Sequence, residues 1–226
     1  MSVRLEDVWV DYRPRRGRHR DARRWALRGV NLALSPGCRV GVIGGNGAGK
    51  TTLLRTVTGV YRPTRGVARI SGRAAGICDL GLGVQRDLSG LECLAVWAAV
   101  DGMSAARWRR QRAEIVDATC LTTDVLEQSV YTYSLGMTLR LQLALALVNR
   151  PAVLAVDEVL SAADAGYRDQ ALDQLTALAV EGTAVVFASH DLGLIAANTD
   201  EVTVLRDGAV DFVGPPGDAL ARYPPP

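Results

Sequence analysis

Short apolar runs separated by glycine- and proline-rich breaks dominate the hydropathy pattern of this chain. Residues 3–12 and 30–34 have the mixed apolar and polar pattern of half-buried strands and predict an early antiparallel layer. Residues 39–43 are a denser apolar run of strand type, and residues 52–57 continue it as a helix. A further strand over 66–71 is reached through the turn at Pro63. From about residue 91 to 130 the spacing turns helical: Leu91, Leu94, Ala95 and Ala98 share one face, and Ala113, Val116, Asp117 and Cys120 follow beyond a polar break. Residues 137–149 form a strongly apolar helix that Pro151 closes. The β-rich runs 153–156 and 184–188 are short enough to be buried parallel strands. No internal repeat or long linker interrupts the chain, and only the proline-rich stretches at 215–216 and 224–226 read as loose. The pattern predicts a doubly wound α/β core with a helical insert.

Candidate chemistry enters with one residue. Lys and Arg together number 26, yet a single lysine is present. It lies in Gly44-Gly45-Asn46-Gly47-Ala48-Gly49-Lys50-Thr51, which matches the phosphate-loop pattern G-x-x-x-x-G-K-[ST]. A GC-rich genome explains arginine everywhere else but not the one exception, because a compact ammonium on a flexible stem must slip between β- and γ-phosphates. The loop joins the strand at 39–43 to the following helix, so backbone N–H groups and the positive helix end face an anion. Thr51 can offer its hydroxyl to the Mg²⁺ that accompanies the nucleotide. An ordinary glycine turn is the competing reading, and the full pattern in this setting disfavours it.

At 226 residues and 24.1 kDa the chain has room for one large domain or a main domain with a smaller lobe. Hydrophobic residues at 48% can fill its core, and the formal charge of +2 argues neither for nor against nucleic acid. Cys38, Cys78, Cys93 and Cys120 are scattered, with no C-x-x-C pair and no histidine spaced as co-ligand, which suits reduced thiols in the cytoplasm. There is no signal-peptide pattern and no apolar run approaching ~18 residues, so no membrane crossing by this polypeptide is expected.

The apolar run at 153–156 ends in Asp157-Glu158. An aspartate at the carboxyl end of a buried strand can reach Mg²⁺ beside the phosphate loop. Glu158 would lie one step further out, able to polarise an attacking water and take its proton. The alternative is two solvated acids at a strand end. Ser134, in Tyr133-Ser134-Leu135-Gly136-Met137, precedes the apolar helix and on its own reads as a helix cap. His190 follows the 184–188 strand, at the same strand-end level as Asp157, where parallel strands gather their ligand edge.

The order of these features resembles the nucleotide-binding subunit of ABC transporters over nearly the whole chain. The resemblance implies an α/β P-loop ATPase core of ABC type, with an antiparallel β lobe and a helical insert at about 85–150, in a single domain spanning 1–226. It implies ATP and Mg²⁺ as ligands. Gly44, Gly45, Asn46, Gly47, Ala48, Gly49, Lys50, Thr51 and Thr52 would bind the nucleotide, with Thr51 and Asp157 serving the metal, Glu158 as general base and His190 contacting the γ-phosphate. Asp164 is similar to a loop acid that communicates across a dimer. Ser134 and Gly136 resemble the signature residues that complete the other copy's site. Tyr12 stands where an aromatic ring stacks on adenine, although packing on the core accounts for it equally well. Gln85 is the only glutamine near the expected metal-contacting position, which by spacing falls near Asp79 and Leu80.

Two departures matter. The signature commonly reads Leu-Ser-Gly-Gly-Gln, but here Leu135 replaces the first glycine and Met137 the glutamine. Tyr-Ser-x-Gly-Met followed by Arg140-Leu141 is similar to the branch that exports polysaccharides, teichoic acids or lipid-linked O-antigen. Asp157-Glu158-Val159-Leu160 with Ala163-Asp164-Ala165, and residues 82–92, share that branch's pattern. This branch implies a homodimer bound to a polytopic permease at the cytoplasmic face of the membrane, with the glycan cargo recognised mainly by the permease. A soluble or regulatory ABC-type ATPase not coupled to glycan export is the alternative. Residues 13–24 carry seven arginines and His19. They read as a solvated loop or as a contact for anionic lipid or pyrophosphate-linked glycan. Nucleic acid is not expected, because no aromatics interleave the arginines.

Overall fold

The computed structural model describes residues 1–12, 25–78, 87–100, 102–162 and 165–223. The chain forms two compact units, Met1–Cys78 with Ala152–Glu158 and Thr176–Pro226, and Asp79–Pro151 with Val159–Leu175.

The first unit opens with β1 (Val3–Asp11), β2 (Trp25–Leu34) and β3 (Arg39–Gly44), then α1 (Lys50–Val57), β4 (Arg65–Ile70) and β5 (Ala74–Ile77). Strands β2, β1 and β4 form the expected antiparallel layer in that order. Strand β2 begins at Trp25, ahead of the expected residue 30, because a bulge hides its first half from a period-two reading. Val8 pairs with Val30 and Val10 with Leu27, so the register slips at Gly29, whose φ of 59° is left-handed.

The remaining elements of this unit are β6 (Val153–Asp157), β7 (Ala184–Ala188), α7 (Leu192–Asn198), β8 (Glu201–Arg206), β9 (Ala209–Gly214) and α8 (Pro216–Arg222). The second sheet runs β5-β6-β7-β3-β8-β9, parallel except for β9. Strands β6 and β7 are buried at every position, as their unbroken apolar runs require. Residues 201–214 carry no strand assignment in the sequence. They form a hairpin whose turn, Asp207-Gly208, has positive φ at both positions (49° and 80°), the geometry that matches strand twist. The two sheets share one core, in which Leu5, Leu27, Val42, Leu53, Val186 and Leu205 are fully buried or nearly so.

The second unit is helical. It contains α2 (Gly90–Val100), α3 (Ala105–Ala118), α4 (Thr123–Leu126), α5 (Leu135–Asn149) and the first part of α6 (Ala165–Val180). Ser104 and Thr122 cap α3 and α4 through their hydroxyls, which divides the expected helical stretch into three helices. Its core joins Cys93, Leu94 and Ala98 of α2 to Ile115 of α3 and to Leu141, Leu145 and Val148 of α5. The segment ahead of α5 is pinned by Tyr133, whose hydroxyl donates to the Val125 carbonyl at 2.6 Å. Gly90 leaves the space that this hydroxyl occupies. No described helix is long and apolar enough to cross a membrane.

Candidate functional site

Residues 44–49 turn the buried end of β3 into the first turn of α1. Gly49 caps α1 with a φ of 106° and offers no side chain to the helix amides. A β-carbon there would stand 2.5 Å from the Ala26 carbonyl oxygen, so the loop tolerates nothing larger. At Gly45 and Gly47, by contrast, a β-carbon would meet nothing within 4 Å. The loop is therefore tight against the protein behind and open in front. In front lies a cleft of about 360 Å³, lined by Tyr12, Ala26, Asn46, Gly47, Lys50 and Glu158 among others.

Lys50 is only 8% exposed. Its ammonium donates to the carbonyl oxygens of Gly44 at 2.8 Å and Gly45 at 3.4 Å, and lies 3.6 Å from Oε1 of Glu158. Glu158 Oε2 in turn stands 3.0 Å from Nε2 of His190. Glu158 takes a left-handed φ of 49°, and its N–H donates to the Ala188 carbonyl at 2.8 Å. The ends of β6 and β7 thus lie side by side, delivering Glu158 and His190 to one another. A cation, a carboxylate and an imidazole, from three separate stretches of sequence, form one continuous chain of contacts.

Asp157 is 7% exposed. Burial raises its carboxyl above the ordinary aspartate range, a hydrogen bond from Thr51 pulls it back, the Glu158 charge raises it further, and Lys50 and Arg55 oppose that. A buried carboxylate next to a hydroxyl offers the hard oxygen donors that a divalent cation takes. Among the described residues no group of three or more His, Cys, Asp or Glu could enclose a metal. The donor set fits Mg²⁺, which takes one or two protein oxygens and leaves its other positions to water and substrate phosphates.

Tyr12, 54% exposed at the cleft, pairs its hydroxyl with that of Thr52. The Thr52 hydroxyl is thus engaged by a side chain of the protein itself. A second hollow of about 290 Å³ lies on the other side of the loop, lined by Gly45, Asn46, His190, Leu192 and Tyr223 among others. In the helical unit, Ser134 caps α5 by accepting from the Met137 N–H at 3.2 Å. Leu135 beside it is 64% exposed and Gly136 is half-buried. Gln85, Asp164 and the arginine-rich residues 13–24 lie outside the described residues. That Ala26 and the Asp207-Gly208 turn back the loop is not legible in the sequence, because they do so through main-chain atoms, which leave no side-chain pattern.

A phosphate loop between the parallel strand β3 and a helix, with acids at the end of β6 two strands away in the same sheet, defines a P-loop nucleotide-binding protein of the α/β class. Residues 27–161 match the ABC transporter family profile. RfbB of Myxococcus xanthus, an O-antigen export system ATP-binding protein, is 36% identical over 198 residues, covering 88% of this chain and 45% of its own. RfbE of Yersinia enterocolitica, of the same description, is 36% identical over 185 residues, 82% of this chain and 77% of its own. TagH of Listeria monocytogenes, a teichoic acids export ATP-binding protein, is 29% identical over 199 residues, 88% and 59%. The chain thus spans about half the length of two of these three relatives. A solved ATP-binding cassette, dimeric in a post-hydrolysis state with ADP and Pi, superposes with a TM-score of 0.80 at 22% identity, covering 94% of this chain and 98% of that one. The chain belongs to the ABC transporter family.

Proposed function

We propose that this chain is the ATP-hydrolysing subunit of an exporter that moves a polysaccharide or lipid-linked glycan across the cytoplasmic membrane. The observation that carries the ATPase reading is the contact chain Lys50–Glu158–His190 at the mouth of the phosphate loop. Phosphates entering the cleft give Lys50 better acceptors than the Gly44 and Gly45 carbonyls, and the ammonium turns outward to meet them. Glu158 then accepts a proton from a water that attacks the γ-phosphorus. As the new P–O bond forms, the bond to the β-phosphate oxygen breaks, and ADP and phosphate leave. His190, beside Glu158, would contact a γ-phosphate oxygen once the nucleotide is bound. Thr51 and Asp157 would hold Mg²⁺, which supplies charge neutralisation at the phosphates.

Ser134 and Gly136 would complete the site of a second copy, and Asp164 would signal across that pair. Tyr12 would stack on adenine, and Gln85 would contact the metal. The glycan reading rests on the Tyr133–Met137 motif with Arg140-Leu141 and on the export systems to which the relatives belong. Cargo selection is assigned to a polytopic permease at the cytoplasmic face, with residues 80–100 as the contact segment.

Depletion of the protein in its native cell tests this reading. Lipid-linked glycan should accumulate on the cytoplasmic leaflet, and a polytopic membrane protein should co-purify with the chain. Normal surface glycan without internal build-up would remove the export reading and leave an ATPase.

A further inference from the structure

Where α1 ends, the chain turns through residues 58–64 and returns to pair β4 with β1. That turn carries Tyr61, a residue with no function in the mechanism above. Its ring packs edge-to-face against Tyr12, with centroids 5.6 Å apart and planes at 83°. Arg55 of α1 fixes Tyr61 twice. The guanidinium donates to the Tyr61 hydroxyl at 2.9 Å, and the Arg55 carbonyl accepts the Tyr61 N–H at 3.0 Å.

Thr64 then ties the turn to the strand that ends at Tyr12. The Thr64 N–H donates to the Trp9 carbonyl at 2.7 Å, and its hydroxyl accepts from the Asp11 N–H at 3.1 Å. Tyr12 itself lies just beyond β1 and is more than half exposed, so its own backbone gives its ring little support. Two contacts set the ring: its hydroxyl against Thr52, one position beyond Thr51, and its face or edge against Tyr61.

We infer that Tyr61, clamped by Arg55, is a positioning residue that holds the Tyr12 ring ready for the base of the nucleotide. The inference rests on the proposed base-stacking by Tyr12 and extends it to specificity. An edge-to-face pair fixes the plane of a ring more tightly than aliphatic packing does, because the ring quadrupoles favour one arrangement. A ring held in that plane before the ligand arrives loses less freedom when the base stacks on it. The clamp therefore acts on ligands that carry a base and not on the phosphate chain alone. Arg55 belongs to the same helix that begins at Lys50, so the plane of Tyr12 is referred to the helix that holds the phosphates.

Calorimetric titration with Mg·ATP and with Mg·tripolyphosphate tests this on the parent, Tyr61→Leu, Tyr61→Phe, Tyr12→Ala and the double variant Tyr12→Ala/Tyr61→Leu. Tyr61→Leu should weaken ATP binding roughly three- to tenfold, the span of one aromatic pair, and leave tripolyphosphate within about twofold. Tyr61→Phe keeps the ring but loses the Arg55 bond, and should fall between. On the Tyr12→Ala background, Tyr61→Leu should add nothing, because the two act as one unit. Equal losses for ATP and tripolyphosphate, or additive losses in the double variant, would overturn the inference and make Tyr61 a general support of α1. If Tyr12→Ala weakens ATP binding while Tyr61→Leu does not, the clamp is wrong and base-stacking stands. If Tyr12→Ala leaves ATP affinity intact, base-stacking fails and the inference fails with it.

Discussion

Glu158→Gln separates binding from chemistry at this site. The substitution keeps the length of the side chain and the left-handed backbone, so the Glu158 N–H bond to Ala188 and the end of β6 should persist. It removes the charge that lies 3.6 Å from the Lys50 ammonium. Because the Glu158 side chain is partly solvated, that ion pair contributes no more than about 1 kcal/mol. Its loss leaves Lys50 freer for phosphate and should tighten Mg·ATP binding up to roughly fivefold. The amide cannot accept the proton of the attacking water, and removing a general base costs about 10²–10⁴ in rate. At about 1.4 kcal/mol per decade, the barrier rises by roughly 3–5.5 kcal/mol. The two effects have opposite sign, so a simple folding defect cannot imitate them. Nucleotide titration and phosphate release, measured on the same preparation, give both numbers. Hydrolysis at the parent rate would remove Glu158 as the base. Loss of binding together with turnover would show that the carboxylate holds the loop together rather than doing chemistry.

Other outcomes follow from the same geometry. Asp157→Asn should abolish most Mg²⁺-dependent nucleotide binding yet raise the thermal midpoint of the nucleotide-free protein, by about 2–4 °C for each kcal/mol recovered. The folded carboxyl holds its proton above the ordinary value of 3.8, so the parent should lose stability as pH rises from there through the raised range. The variant should lack that slope, and denaturant midpoints across pH would show it. Gly49→Ala should destabilise the protein by roughly 2–4 kcal/mol and prevent phosphate binding, since the new methyl meets the Ala26 carbonyl at a positive φ. Urea unfolding with and without ATP measures both effects, and an unchanged midpoint would contradict the close packing behind the loop. Ser134→Arg, combined with Glu158→Gln, should block the ATP-dependent dimer that Glu158→Gln alone is expected to form. Sedimentation of the chain with and without Mg·ATP gives the answer, and a dimer that survives the arginine would count against the shared-site arrangement.

Much of the fold can be read from the residues. The phosphate loop, the fully buried β6 and β7, and the apolar α5 each carry a signal of one kind throughout. The misses have local causes. The bulge at Gly29 interrupts the period in β2, and β5 is built from Ala-Ala-Gly-Ile, which lacks the β-branched run that marks a strand. At the site, the sequence places Lys50 at the start of a helix and Asp157-Glu158 at the end of a buried strand, and the structure has them there, because a glycine-rich loop and an acid pair closing an apolar run each leave a linear pattern. The contact between Glu158 and His190 leaves none, since the residues are 32 positions apart and meet only because β6 and β7 are neighbours. Tyr61 gave no signal at all, because its importance lies in a ring plane that no linear pattern encodes.

The phosphate loop is braced from behind by two segments distant in sequence. The Gly208 N–H donates to the Ala48 carbonyl at 3.0 Å, the Arg28 N–H donates to the Gly208 carbonyl at 2.7 Å, and the Arg28 guanidinium donates to the Asp207 carbonyl at 2.7 Å. The antiparallel layer and the β8–β9 hairpin therefore close on the loop like two jaws. The ordering entropy of a glycine-rich segment, large for residues with so much conformational freedom, is lost when the protein folds rather than when the anion arrives. Heat or denaturant that loosens the hairpin should thus erode nucleotide affinity before the parallel strands open. The β8–β9 turn, though it presents no side chain to the cleft, becomes a place where a distant substitution can silence the site.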